Sequence, residues 1–318
     1  MQINTSFLSR VLFVCLAVGF TVSASSQERG SYVWPVKLQK DYTKTYPIGS
    51  ETVAVMSRYG QMTIETWDKN EVKVDAHISV GAQNNEYATK VLDRINVRDE
   101  KKADRIEFMT KFDNWNDDNN GGGHEMRIDV TVHVPANAKL YAENNFGSLT
   151  IGDYKGEAEL VCKYGTLTAG HLSNSKSVTV EFGKAMIESI SDSKLLFRYS
   201  RVDINKLSGN INGEFQFCNS IDMPVDNSLK KLELKNNYTS LYLVVPKDFS
   251  ADYDITTNNA RVTAKSDWVI KEEMPAASTA YTRTANVYNP NHKYTGSLGK
   301  GGGTQISIKS NFGNIRVM

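Results

Sequence analysis

Two aspartates and two cations stand at matched places of a repeated six-residue motif, and this arrangement could carry out acid–base chemistry. Asp203 and Asp222 occupy the fifth place of neighbouring motif copies, while Lys184 and Arg201 occupy the third place. Because stacked strands lie about 4.8 Å apart, we expect the two carboxylates to be neighbours on an outward face. Glycoside hydrolases use such a pair, with one carboxyl as the acid and the other as the base.

A solvated face is the alternative interpretation of these four residues, and it is the one we favour. Lys184 and Arg201 would then neutralise the two carboxylates. The flanking rows supply mainly serine and threonine, whereas a hydrolytic site needs a groove lined by aromatic and further polar groups. We therefore predict no catalytic residue and keep Lys184, Arg201, Asp203 and Asp222 only as a surface patch.

The other residues with chemical potential show no pattern typical of a metal, phosphate or nucleophile site. The five histidines are dispersed, and the acidic stretch around Asp113, Asp117 and Asp118 lacks the spacing of a calcium loop. Cys162 and Cys218 lie three repeats apart, which is about 14 Å and too far for a disulfide. We expect two buried free thiols, no cofactor and no metal ion.

An aromatic–glycine hexad must position the surface patch. Its best copy reads Phe146-Gly147-Ser148-Leu149-Thr150-Ile151, and further copies follow in steps of 18, 18, 17, 19, 20 and 21 residues. They begin at Tyr164, Phe182, Tyr199, Cys218, Tyr238 and Asn259, and outlying copies begin at Tyr59 and Phe312. A fixed period in this range is typical of a solenoid, in which each repeat stacks on its neighbours.

Each hexad predicts a short strand after a bend. The fourth and sixth residues are apolar and the third and fifth are mostly polar, which is the alternation of a strand with one buried face. We expect the glycines to supply the positive φ of the bend and the aromatic residues to stack on one another. Two segments depart from the pattern: residues 84–96 predict an amphipathic helix, and the polar residues 272–303 predict an inserted loop.

The N-terminus predicts export. Arg10 precedes an apolar run from Val11 to Val22, and small residues follow at Ala24, Ser25 and Ser26, as in a cleaved signal peptide. The formal net charge of the chain is +1, so we expect no nucleic-acid partner. No second apolar stretch of membrane-spanning length follows the signal.

These features together resemble the putative adhesin domain family of secreted bacterial proteins, common in Bacteroidota. The resemblance rests on the Tyr59-Gly60-x-Met62-x-Ile64 opening with Trp67-Asp68, the helix, the Phe/Tyr-Gly-x-Leu-x-Ile copies and the closing Phe312-Gly313-Asn314-Ile315. It covers about Val53 to Met318. It implies a right-handed β-helix and an exported protein, and it brings no catalytic residue with it.

We therefore expect an all-β protein that forms a single-stranded parallel β-helix with coils of 18–21 residues. Residues 1–25 would be the signal peptide, 26–140 a β-rich segment with one helix, and 141–318 the solenoid. The expected function is non-enzymatic binding to a protein or glycan, in the periplasm or at the surface of a Gram-negative cell. A carbohydrate-active enzyme using Asp203 and Asp222, and an envelope accessory or signalling protein, are the alternatives.

Overall fold

Alternation of apolar and polar residues produces strands along most of the chain. The computed structural model describes residues 33–113, 123–265, 268–273 and 290–318, and Trp34–Met318 forms one compact unit. The predicted signal peptide and its cleavage site, as well as Asp117 and Asp118, lie outside the described residues. The strands are β1 (Val36–Pro47), β2 (Thr52–Arg58), β3 (Met62–Trp67), β4 (Glu71–Ala82), β5 (Ile95–Lys101), β6 (Arg105–Phe112), β7 (His124–Pro135), β8 (Lys139–Asn145), β9 (Leu149–Ile151), β10 (Ala158–Lys163), β11 (Thr166–Leu172), β12 (Ser175–Glu181), β13 (Lys184–Arg198), β14 (Arg201–Ile204), β15 (Leu207–Gln216), β16 (Ser220–Asn237), β17 (Ser240–Val244), β18 (Ala251–Asn258), β19 (Val262–Ala264), β20 (Asn291–Leu298), β21 (Thr304–Asn311) and β22 (Ile315–Val317).

The hexad strands pair in parallel with equivalent places in register. Leu149 of β9 faces Leu167 of β11, which faces Ala185 of β13, which in turn faces Val202 of β14. All four side chains are buried. The alternation in the sequence therefore selects the correct inward side chains, and these form continuous apolar rows through the core.

The predicted single-stranded parallel β-helix is wrong as a description of this chain. The described part of the chain is all-β, with 69% strand and 4% helix, but the 22 strands described there join one hydrogen-bonded sheet that contains both parallel and antiparallel ladders. Antiparallel pairs join β1 to β4, β4 to β7, β5 to β6 and β18 to β20. The right-handed β-helix that the family resemblance implies is wrong for the same reason.

The physical reason lies in strand order. In a simple coil stack, each repeat contacts the repeat next to it in the sequence. Here β3 pairs with β7 and β9, and β22, at the end of the chain, lies between β17 and β19. Alternation determines which face of a strand is buried, but it does not determine which distant strand becomes its neighbour.

Helix α1 (Asn85–Arg94) lies inside the range that the sequence predicts. Asn84 is its N-cap, and the side-chain oxygen of Asn84 accepts a hydrogen bond from the Tyr87 backbone N–H at 2.9 Å. Ala88, Val91 and Leu92 form its buried stripe. The helix contacts β4 and β1 and so covers part of the core.

The inserted loop predicted at 272–303 is partly wrong. Asn291–Leu298 is strand β20, which pairs antiparallel with all of β18 and buries Tyr294 and Leu298. The two buried residues are four positions apart among polar ones, so the sequence shows no clear alternation there. Pairing with β18 makes this segment a strand, and residues 274–289 lie outside the described part of the chain.

Candidate functional site

Eight aromatic rings form one continuous stack, which we call the aromatic column. Neighbouring ring centroids lie 4.8–5.3 Å apart and neighbouring planes differ by at most 15°. Tyrosine and phenylalanine alternate along the whole column. Its members are Tyr59, Phe146, Tyr164, Phe182, Tyr199, Phe217, Tyr238 and Phe312.

The stacking of the hexad aromatics is confirmed, with one correction. The hexad pattern places Cys218 first in the fifth copy, but Phe217 carries the ring and Cys218 is buried. Phe217 follows Tyr199 by 18 residues, the same step as in the best copies. That spacing was the signal that could have identified it. Cys162 and Cys218 are buried free thiols, as predicted.

The ring residues themselves carry the left-handed backbone of each bend. Their φ values lie between 51° and 65°, a region that costs a residue with a Cβ atom about 1–2 kcal/mol. Stacking between neighbouring rings offsets part of this cost, at about 0.5–1.5 kcal/mol for each pair.

The glycine after the ring has a different role from the one predicted. It does not adopt positive φ. A Cβ atom on Gly165 would lie 1.8 Å from the carbonyl oxygen of Gly147 in the neighbouring strand. Glycine is therefore needed because two backbones approach closely at this point.

The two ends of the column are closed differently. Phe112 packs edge-on against Tyr59, at 5.7 Å and 89°, and the Arg58 guanidinium lies over the Phe112 ring. At the other end, Asn259 occupies the next equivalent place, with a φ of 50°. Asparagine tolerates the left-handed region without an aromatic ring, so the column ends at Phe312.

Ring stacking leaves only the ring edges and the tyrosine hydroxyls open to solvent. Each interior ring has a neighbour on both faces, so neither face can receive a sugar or another ring. The hydroxyls of Tyr59, Tyr164, Tyr199 and Tyr238 make no hydrogen bond to any residue in the described ranges. They recur at every second ring, which is about 10 Å.

A polar row runs along one side of the column, formed by the residues that precede the rings. In its centre, Glu181 bonds to Arg198 at 3.1 Å and to Lys163 at 3.5 Å, and Arg198 also reaches Glu214 at 3.2 Å. These charges are mutually neutralised and partly exposed. The column is therefore an apolar strip with a polar border.

A groove of about 740 Å³ opens beside Tyr199 and Phe217, and we call it the Asp222 groove. The buried Ile221 lies four positions after Phe217, whereas Val202 lies three positions after Tyr199. The extra residue reduces the ladder between β14 and β16 to the single pair Val202–Ile221. The groove is lined by Tyr199, Ser200, Arg201, Val202, Asp203, Ile204, Asn205, Phe217, Asn219, Ser220 and Asp222.

The structure brings the predicted surface patch together at this groove. Arg201, Asp203 and Asp222 line it, and Lys184 lies on the adjacent strand, opposite Arg201. Asp203 Oδ2 lies 3.2 Å from Lys184 Nζ and 3.6 Å from Arg201 Nε. Asp222 has no ion pair with any described residue. The two cations thus both contact Asp203 and leave Asp222 without a counter-ion.

Within the described ranges, no group of three or more histidine, cysteine, aspartate or glutamate side chains is arranged to hold a metal ion. The one helix described is also too short and too polar to cross a bilayer.

Comparison with known proteins gives only distant similarities. No family model and no curated protein matches the chain. A putative cell adhesion protein from Clostridium sporogenes is 14% identical, with a TM-score of 0.26 over 88% of this chain and 99% of that one. A putative adhesin from Bacteroides fragilis is 13% identical, with a TM-score of 0.26 over 88% and 97%.

A putative lipid binding protein from Parabacteroides distasonis is 10% identical, with a TM-score of 0.35 over 87% of this chain and 96% of that one. The chain is thus similar to bacterial proteins described as adhesins and as a lipid binding protein, at a likeness too low to assign it to their family.

Proposed function

We propose that this protein binds another protein through its aromatic column. The observation that carries the proposal is the exposure of the rings. Seven of the ten large hydrophobic residues exposed in the described ranges belong to the column, each at 45–51% exposure. At about 100 Å² for each half-exposed ring, the seven present roughly 700 Å². The largest apolar patch of a typical monomer is about 300–600 Å², and one side of a standard interface is about 800 Å².

The chemistry of the column favours a protein partner. Aromatic residues are enriched at the centres of protein interfaces, and a polar rim surrounds such centres. The column has this composition, with the Lys163, Glu181 and Arg198 network along its border. Stacking of a sugar ring on an aromatic residue needs an open ring face, and the faces of the interior rings are covered here. The fitting partner presents a long, narrow apolar strip with hydrogen-bond acceptors for the tyrosine hydroxyls.

We also propose that the protein works at the cell envelope and has no catalytic role. The signal-like N-terminal sequence supports export to the periplasm or the cell surface. Incubation with neutral oligosaccharides should release no sugar beyond that released by the Asp203→Ala variant. Sugar release that this variant abolishes would contradict the non-enzymatic role.

The binding proposal is tested with a variant that removes three rings and keeps the backbone conformation. Tyr164→Asn, Phe182→Asn and Tyr199→Asn are combined, because Asn259 shows that asparagine fits this place. Binding to immobilised fibronectin, laminin, collagen and mucin is measured for both proteins. We expect saturable binding of the wild type to at least one of them and about 100-fold weaker binding of the variant.

The matched control combines Thr150→Asn, Thr168→Asn and Met186→Asn, three partly exposed places on the hexad strands β9, β11 and β13. It should bind as the wild type does. Failure of the wild type to bind any of the four proteins, or equal binding by the three-ring variant, would overturn the proposal.

Sedimentation of the purified protein is a second test. A wild-type dimer, together with a monomeric three-ring variant, would show that a second copy of the chain occupies the column.

A further inference from the structure

The Asp222 groove differs from the aromatic column in shape and chemistry. The column is an exposed apolar strip, whereas the groove is a recess lined mainly by polar side chains. Its volume of about 740 Å³ falls within the range of about 300–1,000 Å³ found for small-molecule sites. The groove lies where Asn219 adds one residue to the bend. At this point, Val202–Ile221 is the one pair that joins β14 to β16.

We infer that this groove binds an uncharged saccharide. Its walls offer hydrogen-bond donors and acceptors in alternation. Arg201 donates, Asp222 accepts, and the side chains of Asn219 and Ser220 do both. A saccharide hydroxyl also donates and accepts, so a chain of sugar units can satisfy all of these groups at once. The exposed edges of Tyr199 and Phe217 provide an apolar flank for the C–H groups of a sugar ring.

Two polar groups of the groove make contacts within the protein. Asp203 forms ion pairs with Lys184 at 3.2 Å and with Arg201 at 3.6 Å, and the Arg201 side chain lines the groove. The Asn205 side-chain amide donates to Glu188 at 2.7 Å, so its carbonyl oxygen stays available as an acceptor. Asp222 is the acceptor without a counter-ion. Hydrogen bonds to a charged acceptor are among the stronger ones available to a sugar hydroxyl.

The charge balance selects the class of saccharide. Lys184 and Arg201 together balance Asp203 and Asp222 in formal charge. The unpaired carboxylate of Asp222 faces the ligand, so a uronic acid or sulfated sugar would meet repulsion there. A neutral hexose or N-acetylhexosamine chain avoids this repulsion and still donates hydrogen bonds to Asp222.

The inference does not depend on the proposed role of the column. The test is titration of the purified protein with cellotetraose, mannotetraose, chitotetraose and, as the charged comparison, tetragalacturonate, followed by saturation-transfer NMR. We expect at least one neutral tetrasaccharide to bind and tetragalacturonate not to bind. Asp222→Ala and Asn219→Ala should each weaken that binding about 10-fold or more.

The matched control is Asp254→Ala, which removes an exposed carboxylate from β18, away from the residues that line the groove. It should bind the tetrasaccharide as the wild type does. The inference is overturned if no neutral tetrasaccharide binds, or if binding is equal in the Asp222→Ala and Asp254→Ala variants. Either result leaves the protein-binding proposal unaffected, because Asp222→Ala and Asp254→Ala both keep all eight rings of the column.

Discussion

Phe182 and Tyr199 stack with their ring centroids 4.9 Å apart and their planes 3° from parallel. Each ring has a further ring on its other face, and each backbone lies in the left-handed region, with φ at 54° and 51°. Every rung of the column therefore combines a favourable side-chain contact with an unfavourable backbone conformation.

Replacement of Phe182 should separate these two effects. Phe182→Ala removes two stacking contacts while the Cβ atom remains at positive φ, and we expect a loss of about 1–3 kcal/mol in the free energy of unfolding. Phe182→Asn also loses the stacking but tolerates the left-handed backbone, so it should be more stable than Phe182→Ala by about 1 kcal/mol. Denaturant unfolding measures both values. An equal loss in the two variants would show that the backbone conformation is not strained.

Close approach of neighbouring bends makes Gly165 sensitive to a single methyl group. The added Cβ atom would lie 1.8 Å from the Gly147 carbonyl oxygen, so we expect Gly165→Ala to lose about 3 kcal/mol or more of unfolding free energy. Gly152→Ala is the control, since no atom lies within 4 Å of its added Cβ. The thermal midpoint of the control should stay unchanged or rise slightly. Similar midpoints for the two variants would refute the close approach.

Burial raises the pKa of the Cys162 thiol to about 11, above its ordinary value of 9.0. The folded state therefore favours the protonated thiol. This contribution to stability is complete below pH 9 and is lost as the pH rises from 9 towards 11. Unfolding free energies over this range should fall more steeply for the wild type than for Cys162→Ala. Parallel curves would contradict the burial of the thiol.

Asp99 should make the stability of the protein depend on pH in the acid range. Burial alone would raise its pKa, but hydrogen bonds from the Tyr46 and Tyr42 hydroxyls and the charge of Lys44 bring the pKa below its usual value. A lowered pKa in the folded state gives stability that is present above the ordinary aspartate pKa and is lost as the pH falls. Between about pH 5 and pH 2, Tyr46→Phe should lose less stability than the wild type. Equal acid sensitivity of the two proteins would argue against the contribution of Tyr46.

Deletion of Asn219 should close the groove. The shortened bend, Phe217-Cys218-Ser220-Ile221, would match the spacing of Tyr199-Ser200-Arg201-Val202. Further backbone hydrogen bonds could then form between β14 and β16, so amide hydrogens at residues 201–204 and 220–223 should exchange more slowly with solvent. Unchanged exchange rates would mean that the extra residue is not the cause of the opening.

Much of the local structure could be predicted from the sequence. Alternation places Leu149, Leu167 and Val202 in one buried row, and a single side-chain type at a constant step predicts the ring stack. These features depend on the alternation within each strand and on the nearly constant step between most of the hexads. The prediction that Cys162 and Cys218 are buried free thiols also holds.

The global arrangement could not be predicted in the same way. Strand β4 (Glu71–Ala82) alternates as well as any hexad strand, yet it pairs antiparallel with β1 and β7. Strand β22 (Ile315–Val317) carries the last hexad but joins β17 and β19. Which strands pair depends on contacts between distant segments of the chain. The entropic cost of closing the intervening loops rises only slowly with loop length, so it does not exclude pairing between strands that are far apart in the sequence. The Asp222 groove was missed because a fixed six-residue motif leaves no room for the extra Asn219.

Alternation of tyrosine and phenylalanine makes the column periodic in units of two rings. A short partner segment that fits one Tyr–Phe unit meets an equivalent unit about 10 Å further along. Such a segment would have several overlapping binding positions, so a segment that leaves one position can rebind at the next. A force directed along the column would move the segment to the next position before it dissociated. Binding of this kind resists a force along the column best.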